Sequence, residues 1–528
     1  MPKADKKCIL KEEQTSIDEQ TTDWASIYVA SVLSFVGSAQ FSIYFSSLWP
    51  YLQILDSSAN ETFFGYIIAI YSLGQIFSSP TFGYWSNRIK QVRLPLFSGL
   101  ALMFIGNALY IVLELVTFPR KYLMLVCRCI TGMGSGNVSL LRTYASTAST
   151  DKDRPKAIAY VTCGQALGTT AGPALQLLFT PLSYPGFQIF DMLTINMYTA
   201  PAYLACSMNF LGALALYFLF KENYAGIVDE EDNEQQPENK KSMPVRIPPY
   251  DVIAVLVCYA TRFTQMFINT NLETIGSPFA MMMFAWTETK AVTFTAAAQG
   301  AVGVFTFLTY LMYILLKMDK YLNCRVSCMI SLAALILFHL VTYSWPFIPG
   351  NVVLHKNTEI YNFTEQHVGC NMDKFSWCES LRPVNVYVYY VAYIVVIGLA
   401  FPTLNITLTT LFSKILGPRR QGTQQGVLQM SGSVARMVGP ILISILYSAY
   451  GPRMAWHMEI IIISITLLLW CFFYGRMVPL RSVLQLDTIR VENGKAEGGI
   501  ISVKSNGRIH PSGDEDKPTT TTSTTVTA

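Results

Sequence analysis

The chain has 528 residues, of which 52% are hydrophobic, 13% aromatic and 14% charged, with a formal net charge of +4. So low a charged fraction, against roughly one quarter in soluble domains, excludes an ordinary water-soluble globule. A near-balanced charge gives no reason to expect a nucleic-acid partner.

Residues 1–23 form a polar tail without a signal peptide, because the first apolar run is itself long enough to span a bilayer. Apolar runs of about the 20 residues needed to cross the hydrocarbon follow at 24–51, 63–85, 94–118, 122–142, 157–179 and 195–220. A charged stretch at 221–250, containing Asp229, Glu230, Glu231 and Asp232 and later Lys240 and Lys241, reads as a linker. Six further runs lie at 252–284, 291–316, 326–347, 384–412, 426–450 and 454–474. The expectation is an all-α membrane protein of twelve transmembrane helices. Its six-helix halves cover 24–220 and 251–476, the second with a loop at 348–383, and residues 477–528 form a Thr-rich disordered tail.

Lys and Arg set the orientation. With both termini cytosolic, sixteen basic residues, among them Arg88, Lys90, Arg93, Arg154, Arg419 and Arg420, fall in cytosolic loops, against seven in the opposite ones. The glycosylation acceptors Asn60 and Asn362 both lie in opposite-side loops, in agreement. Cys370 and Cys378 share the loop of Asn362 and either pair as a disulfide on an oxidising side or remain free thiols. In the first tail, Asp5, Ile9 and Leu10 approximate an acidic dileucine sorting signal, a contact for sorting adaptors. Membrane lipid is the other constant partner.

The halves echo one another. Arg154 precedes Gly172-Pro173 by 18 residues and Arg420 precedes Gly439-Pro440 by 19, each pair in the fifth run of its half, which suggests a parallel internal repeat. Gly83 to Arg88, followed by Lys90 and Arg93, resembles the loop motif G-x-x-x-D-R of the major facilitator superfamily, with Asn87 where that family has Asp. Arg128 with Gly132, Gly134 and Gly136 is similar to its fourth-span motif, and Gly164, Gly168 and Gly172-Pro173 to the fifth-span motif of its antiporters, although Leu175 and Gln176 replace the closing glycines. Tyr71 to Gln75, Phe82 to Asn87, Asn196 to Thr199, Ser413 to Pro418 and Gly451 to Arg453 more narrowly resemble the lysosomal branch associated with neuronal ceroid lipofuscinosis (Batten disease). The resemblance implies a transporter in an endolysosomal membrane, with chloride conduction among the activities proposed for that branch. The Asn at position 87 puts the family's charge-based clamp in doubt.

No G-x-x-x-x-G-K-[ST] phosphate cradle occurs, so transport is expected to be gradient-driven. Five histidines without paired helical spacing and no Cys-x-x-Cys support neither a metal site nor a hydrolase triad, so no cofactor and no enzymatic activity are expected. A charge deep in a membrane costs several kcal/mol and persists mainly toward a cavity or partner. Arg262 and Arg436 each lie about 15 Å along their spans from the cytosolic side, at about 1.5 Å per residue, whereas Glu114, Glu273 and Glu459 lie near the opposite ends, within reach of water. Arg262, Gln265, Asn269 and Glu273 share one helical face. Ser31, Ser34, Ser38 and Ser42 in the first span, and Arg128, Thr131, Ser135 and Ser139 in the fourth, show the same spacing, which fits either a wet cavity or close helix packing. Asn405 is the tenth span's contribution to such a cavity. Gly132, Gly136, Gly168, Gly172, Pro173, Gly439 and Pro440 read as packing and bending points.

Arginines outnumber acids near the midplane, and an always-protonated guanidinium favours an anion. The reading is a carrier that moves a small anionic solute by alternating access, with Arg128, Arg262, Gln265, Asn269, Glu273, Asn405 and Arg436 along the path. Arg436 is read either as an anion contact or as a structural lock. A channel-like chloride conductance and a non-transporting membrane sensor or scaffold are the alternatives.

Overall fold

The computed structural model describes residues 21–44, 47–56, 61–116, 119–182, 184–189, 193–225, 249–318, 321–355, 368–373 and 375–480. Asp5, Ile9, Leu10, Asn60, Asn362, most of the linker and the C-terminal tail lie outside the described residues. The first half comprises α1 (Trp24–Ser42), α2 (Leu48–Leu55), α3 (Glu61–Ile89), α4 (Arg93–Ile111), α5 (Arg120–Gly134), α6 (Asn137–Thr147), α7 (Arg154–Leu177) and α8 (Ala200–Phe218). The second comprises α9 (Val252–Met283), α10 (Glu288–Leu315), α11 (Cys324–Val341), α12 (Val386–Ala392), α13 (Gly398–Leu416), α14 (Gly422–Tyr450) and α15 (Pro452–Phe472). Here α5 with α6 makes one span, and α12 with α13 another, joined through a π-turn at Tyr393–Ile397.

Among the described residues, ten helical segments are long and apolar enough to cross a membrane. The other two expected spans, α3 and α7, are 29 and 24 residues long but more polar. Both pack against the other half of the bundle: α3 along α14, and α7 along α10 as well as α1. A helix whose polar face is covered by protein does not need to be apolar all round. The two halves start alike, with Asp23 and Asp251 capping α1 and α9 by accepting hydrogen bonds from backbone N–H groups of the first turn.

Several boundaries differ from the sequence expectation. The first run, 24–51, is two helices, α1 and α2. The fourth does not stop at Arg142 but breaks at Ser135 and Gly136 and continues as α6 to Thr147. The start of the sixth run belongs to a short antiparallel hairpin, β1 (Phe187–Ile189) with β2 (Leu193–Ile195). On the second half's loop, β3 (Leu354–His355) pairs in parallel with β4 (Cys370–Asn371), and Cys370 and Cys378 are joined as a disulfide. That loop is seated by Trp377, whose ring lies where a Cβ on Gly451 would fall; Gly451 has φ +81, a conformation that suits glycine.

Each half has its own apolar core, and a smaller cluster of Ala159, Tyr310, Tyr313, Ile314 and Ile406 joins α7 to α10 and α13 across the halves. The halves are also tied on the face that carries both ends of the bundle, called the terminal face below. Asn87 Oδ1 accepts from Gly422 N at 2.9 Å, and its Nδ2 donates to Thr423 Oγ1 at 3.0 Å. Arg420 donates to Lys90 O, and Ser146 to Gln421 Oε1. A Cβ on Gly83 would stand 2.2 Å from Gly422 O, and one on Gly426 2.4 Å from Ser79 O. Backbone therefore meets backbone between α3 and α14, and the bundle is closed on the terminal face.

Candidate functional site: a cavity lined by arginines

Between the halves, above that closure, lies a cavity of about 540 Å³. That is within the range of sites for small organic molecules. Its charged lining is Arg142 on α6, Arg262 and Glu273 on α9, and Arg436 on α14, so it carries an excess of two positive charges. Arg142 and Arg262 are each only 2% exposed.

The partners of these arginines decide the chemistry. Arg142 Nη1 donates to Gln429 Oε1 at 2.8 Å and Nη2 to Gln165 Oε1 at 2.6 Å. Arg262 Nη1 donates to Gln265 Oε1 and Asn405 Oδ1, both at 2.9 Å, and Nη2 to Gln429 Oε1 at 3.5 Å. Arg436 Nη2 donates to Gln75 Oε1 and, at 3.4 Å, to Ser433 Oγ, with its guanidinium 5.7 Å from the Phe41 ring. Every one of these acceptors is a neutral amide or hydroxyl. Such groups satisfy hydrogen-bond geometry without cancelling charge. The Nε atom of each of the three arginines is buried without a hydrogen-bond partner. Glu273, the cavity's carboxylate, accepts from Asn269 Nδ2 at 2.7 Å.

The structure brings together Arg262, Gln265, Asn269, Glu273, Asn405 and Arg436 on one cavity wall or another. Arg128 is the correction. It does not line the cavity but is 5% exposed between the rings of Tyr44 and Tyr71, 5.4 and 4.9 Å from their centroids. The break between α5 and α6 rotates the fourth span's register, so a face projected from one continuous helix misplaces its far end. Arg142 is the residue that sequence reasoning missed. It continues the same spacing three residues after Ser139, but lay at the assumed end of the span.

The serine pattern of α1 resolves mostly as packing. Ser31 donates to Tyr160 O and Ser42 to Gly168 O, while Gly164, Gly168 and Gly172 leave room for the α1 backbone and Ser42. Ser38 alone of the four lines the cavity. Gly132 lies against Tyr71 O and Gly136 against Ser78, while Gly439 faces Asn271 of α9 as Gly172 faces Ser42 of α1. Pro173 and Pro440 sit inside α7 and α14, and Pro173 also lines the cavity. Arg88 is bonded to Tyr84 at the surface. Glu459 corrects a second expectation: it is fully buried and hydrogen-bonded to His339 Nε2, linking α15 to α11.

Residues 30–354 and 375–492 match the sequence profile of the Major Facilitator Superfamily. The chain belongs to the major facilitator superfamily. Among curated members it is 32% identical over 477 residues to major facilitator superfamily domain-containing protein 8 of Xenopus laevis, covering 86% of this chain and 92% of that protein. An SPX domain-containing membrane protein of Oryza sativa subsp. japonica is 34% identical over 165 residues, 31% of this chain and 22% of its own length. Among solved structures, the proton:xylose symporter XylE aligns with TM-score 0.63 at 12% identity over 88% of this chain and 98% of its own. The human organic anion transporter MFSD10 (TETRAN) aligns with TM-score 0.58 at 13% identity over 84% and 99%. At such identities these two share the superfamily's fold with this chain.

Proposed function

We propose that this major facilitator carries a small organic anion by alternating access across an endolysosomal membrane, with both termini in the cytosol. The observation that carries the anion is the cavity's three guanidinium groups, bonded to neutral acceptors and set against a single carboxylate. A buried positive charge without a counter-charge is costly, and an anionic solute relieves that cost on binding. Backbone contact between α3 and α14 closes the cavity on one face, which supports a carrier over a continuously open chloride pore. The orientation is supported by the distribution of Lys and Arg and by the Cys370–Cys378 disulfide on the face opposite the termini. The endolysosomal location rests on the resemblance to the lysosomal branch and on the Asp5 to Leu10 string.

The test is flux into proteoliposomes of purified protein, with labelled organic anions and with chloride, at neutral and acidic pH on the side opposite the termini. Saturable organic-anion uptake supports the carrier. A large chloride current that does not saturate would replace it with a conductance, and no flux of either above empty vesicles would shift weight to a sensor or scaffold.

A further inference from the structure

We infer that the solute is an organic dianion with two separate anionic groups, of the short dicarboxylate class. This rests on the anion-carrier reading above.

Two neutral oxygens in the cavity gather two and three donors. Gln429 Oε1 takes Arg142 Nη1 at 2.8 Å and Arg262 Nη2 at 3.5 Å. Gln75 Oε1 takes Arg436 Nη2, Ser433 Oγ at 2.7 Å and Gln429 Nε2 at 3.4 Å. A neutral amide oxygen accepts from these donors without cancelling the guanidinium charge; a carboxylate in its place does both. The two oxygens therefore mark two positions suited to anionic groups.

Their separation sets the spacing. Within an amide, oxygen and nitrogen are about 2.2 Å apart from standard bond lengths, so with the 3.4 Å bond from Gln429 Nε2 to Gln75 Oε1 the two oxygens lie at most about 5.6 Å apart. Carboxylates joined by two or three methylenes place oxygens of opposite ends roughly 4 to 6 Å apart. The charge agrees: three guanidinium groups less one carboxylate leave two positive charges, which a dianion cancels and a single chloride does not. The cavity's 540 Å³ also holds far more than one monatomic ion. Because Gln75 belongs to one half and Gln429, Ser433 and Arg436 to the other, a dianion that takes over these bonds replaces contacts between the halves, tying occupancy to their separation.

The experiment measures thermal unfolding of the full-length protein in detergent against succinate, glutarate, adipate, butyrate and chloride at matched ionic strength. The expected result is an apparent Kd for succinate or glutarate at least about tenfold below that of butyrate, as one further charge-assisted contact supplies. Arg436→Gln should bring succinate to the level of butyrate, and Arg436→Lys should retain part of the difference. If Arg436→Gln does not fold, the wild-type preference for short diacids over butyrate decides alone. Equal stabilisation by succinate and butyrate overturns the dianion while the anion carrier stands. Stabilisation by chloride equal to that by succinate likewise overturns it, and no response to any anion overturns both.

Discussion

Arg142, Arg262 and Arg436 are held in the cavity by amide side chains from five other helical positions rather than by acids. The amides fix direction while leaving the charge available. Arg142→Gln and Arg262→Gln should each weaken solute binding by about 10- to 100-fold, the loss of a hydrogen bond to a charged group. Neither should lower the unfolding temperature, because a neutral amide is cheaper to bury than a guanidinium; equilibrium binding and thermal unfolding on the same preparation check both halves of the statement. The His339–Glu459 pair, fully buried between α11 and α15, should behave oppositely. It lies outside the cavity lining, and His339→Ala leaves the carboxylate without its partner. A destabilisation of about 1–3 kcal/mol is expected, the cost of a buried polar group left without its partner, read as a lowered midpoint in thermal or chemical unfolding, with solute affinity of the folded fraction unchanged.

At the scale of elements, the closure of the terminal face depends on α3 and α14 approaching at backbone distance. Gly83 and Gly426 permit that approach, and Asn87 locks it through both atoms of its amide. Where the wider family has a carboxylate, the amide accepts from the first N–H of α14 and also donates to Thr423, so the clamp persists as a neutral one. Gly83→Val puts side-chain atoms into Gly422 O and should open the seam. Peptide-resolved alkylation of a cysteine at the buried Ser146 position should then quicken by about tenfold or more, the effect of 1.4 kcal/mol. An unchanged rate would mean that the seam is not the gate. Asn87→Ala should act in the same direction but less strongly, since it removes hydrogen bonds without adding a clash.

For the whole molecule, the two halves share a design: Asp caps at the starts of α1 and α9, and small residues where α7 meets α1 and α14 meets α9. They contribute different side chains but equal charge to the cavity: Arg262, Arg436 and Glu273 come from the second half and Arg142 from the first, one net positive charge each. In the alternating-access reading proposed above, one half rocks on the other around a cavity lined by both. The orientation proposed for it has a direct check. Asn60→Gln and Asn362→Gln should each remove one glycan, with a gel shift that glycosidase treatment of the wild type reproduces in sum. A full-size band in either variant would contradict the assignment of that loop to the lumenal side.

Membrane residence and the superfamily motifs were determined by the sequence alone, because each depends on local composition or on residues adjacent in the chain. The face of α9 carrying Arg262, Gln265, Asn269 and Glu273 was legible for the same reason, as one unbroken helix keeps its phase over 32 residues. Only the tertiary structure decided that Arg128 stacks on tyrosines while Arg142 enters the cavity, since the break at Ser135 and Gly136 resets the phase between them. It alone separated the packing serines of α1 from Ser38, which lines the cavity, and paired Glu459 with His339, 120 residues away. Whether a polar side chain in a membrane helix meets solute, carbonyl or counter-charge depends on which helix faces it, and that is set by the packing of segments far apart in the chain.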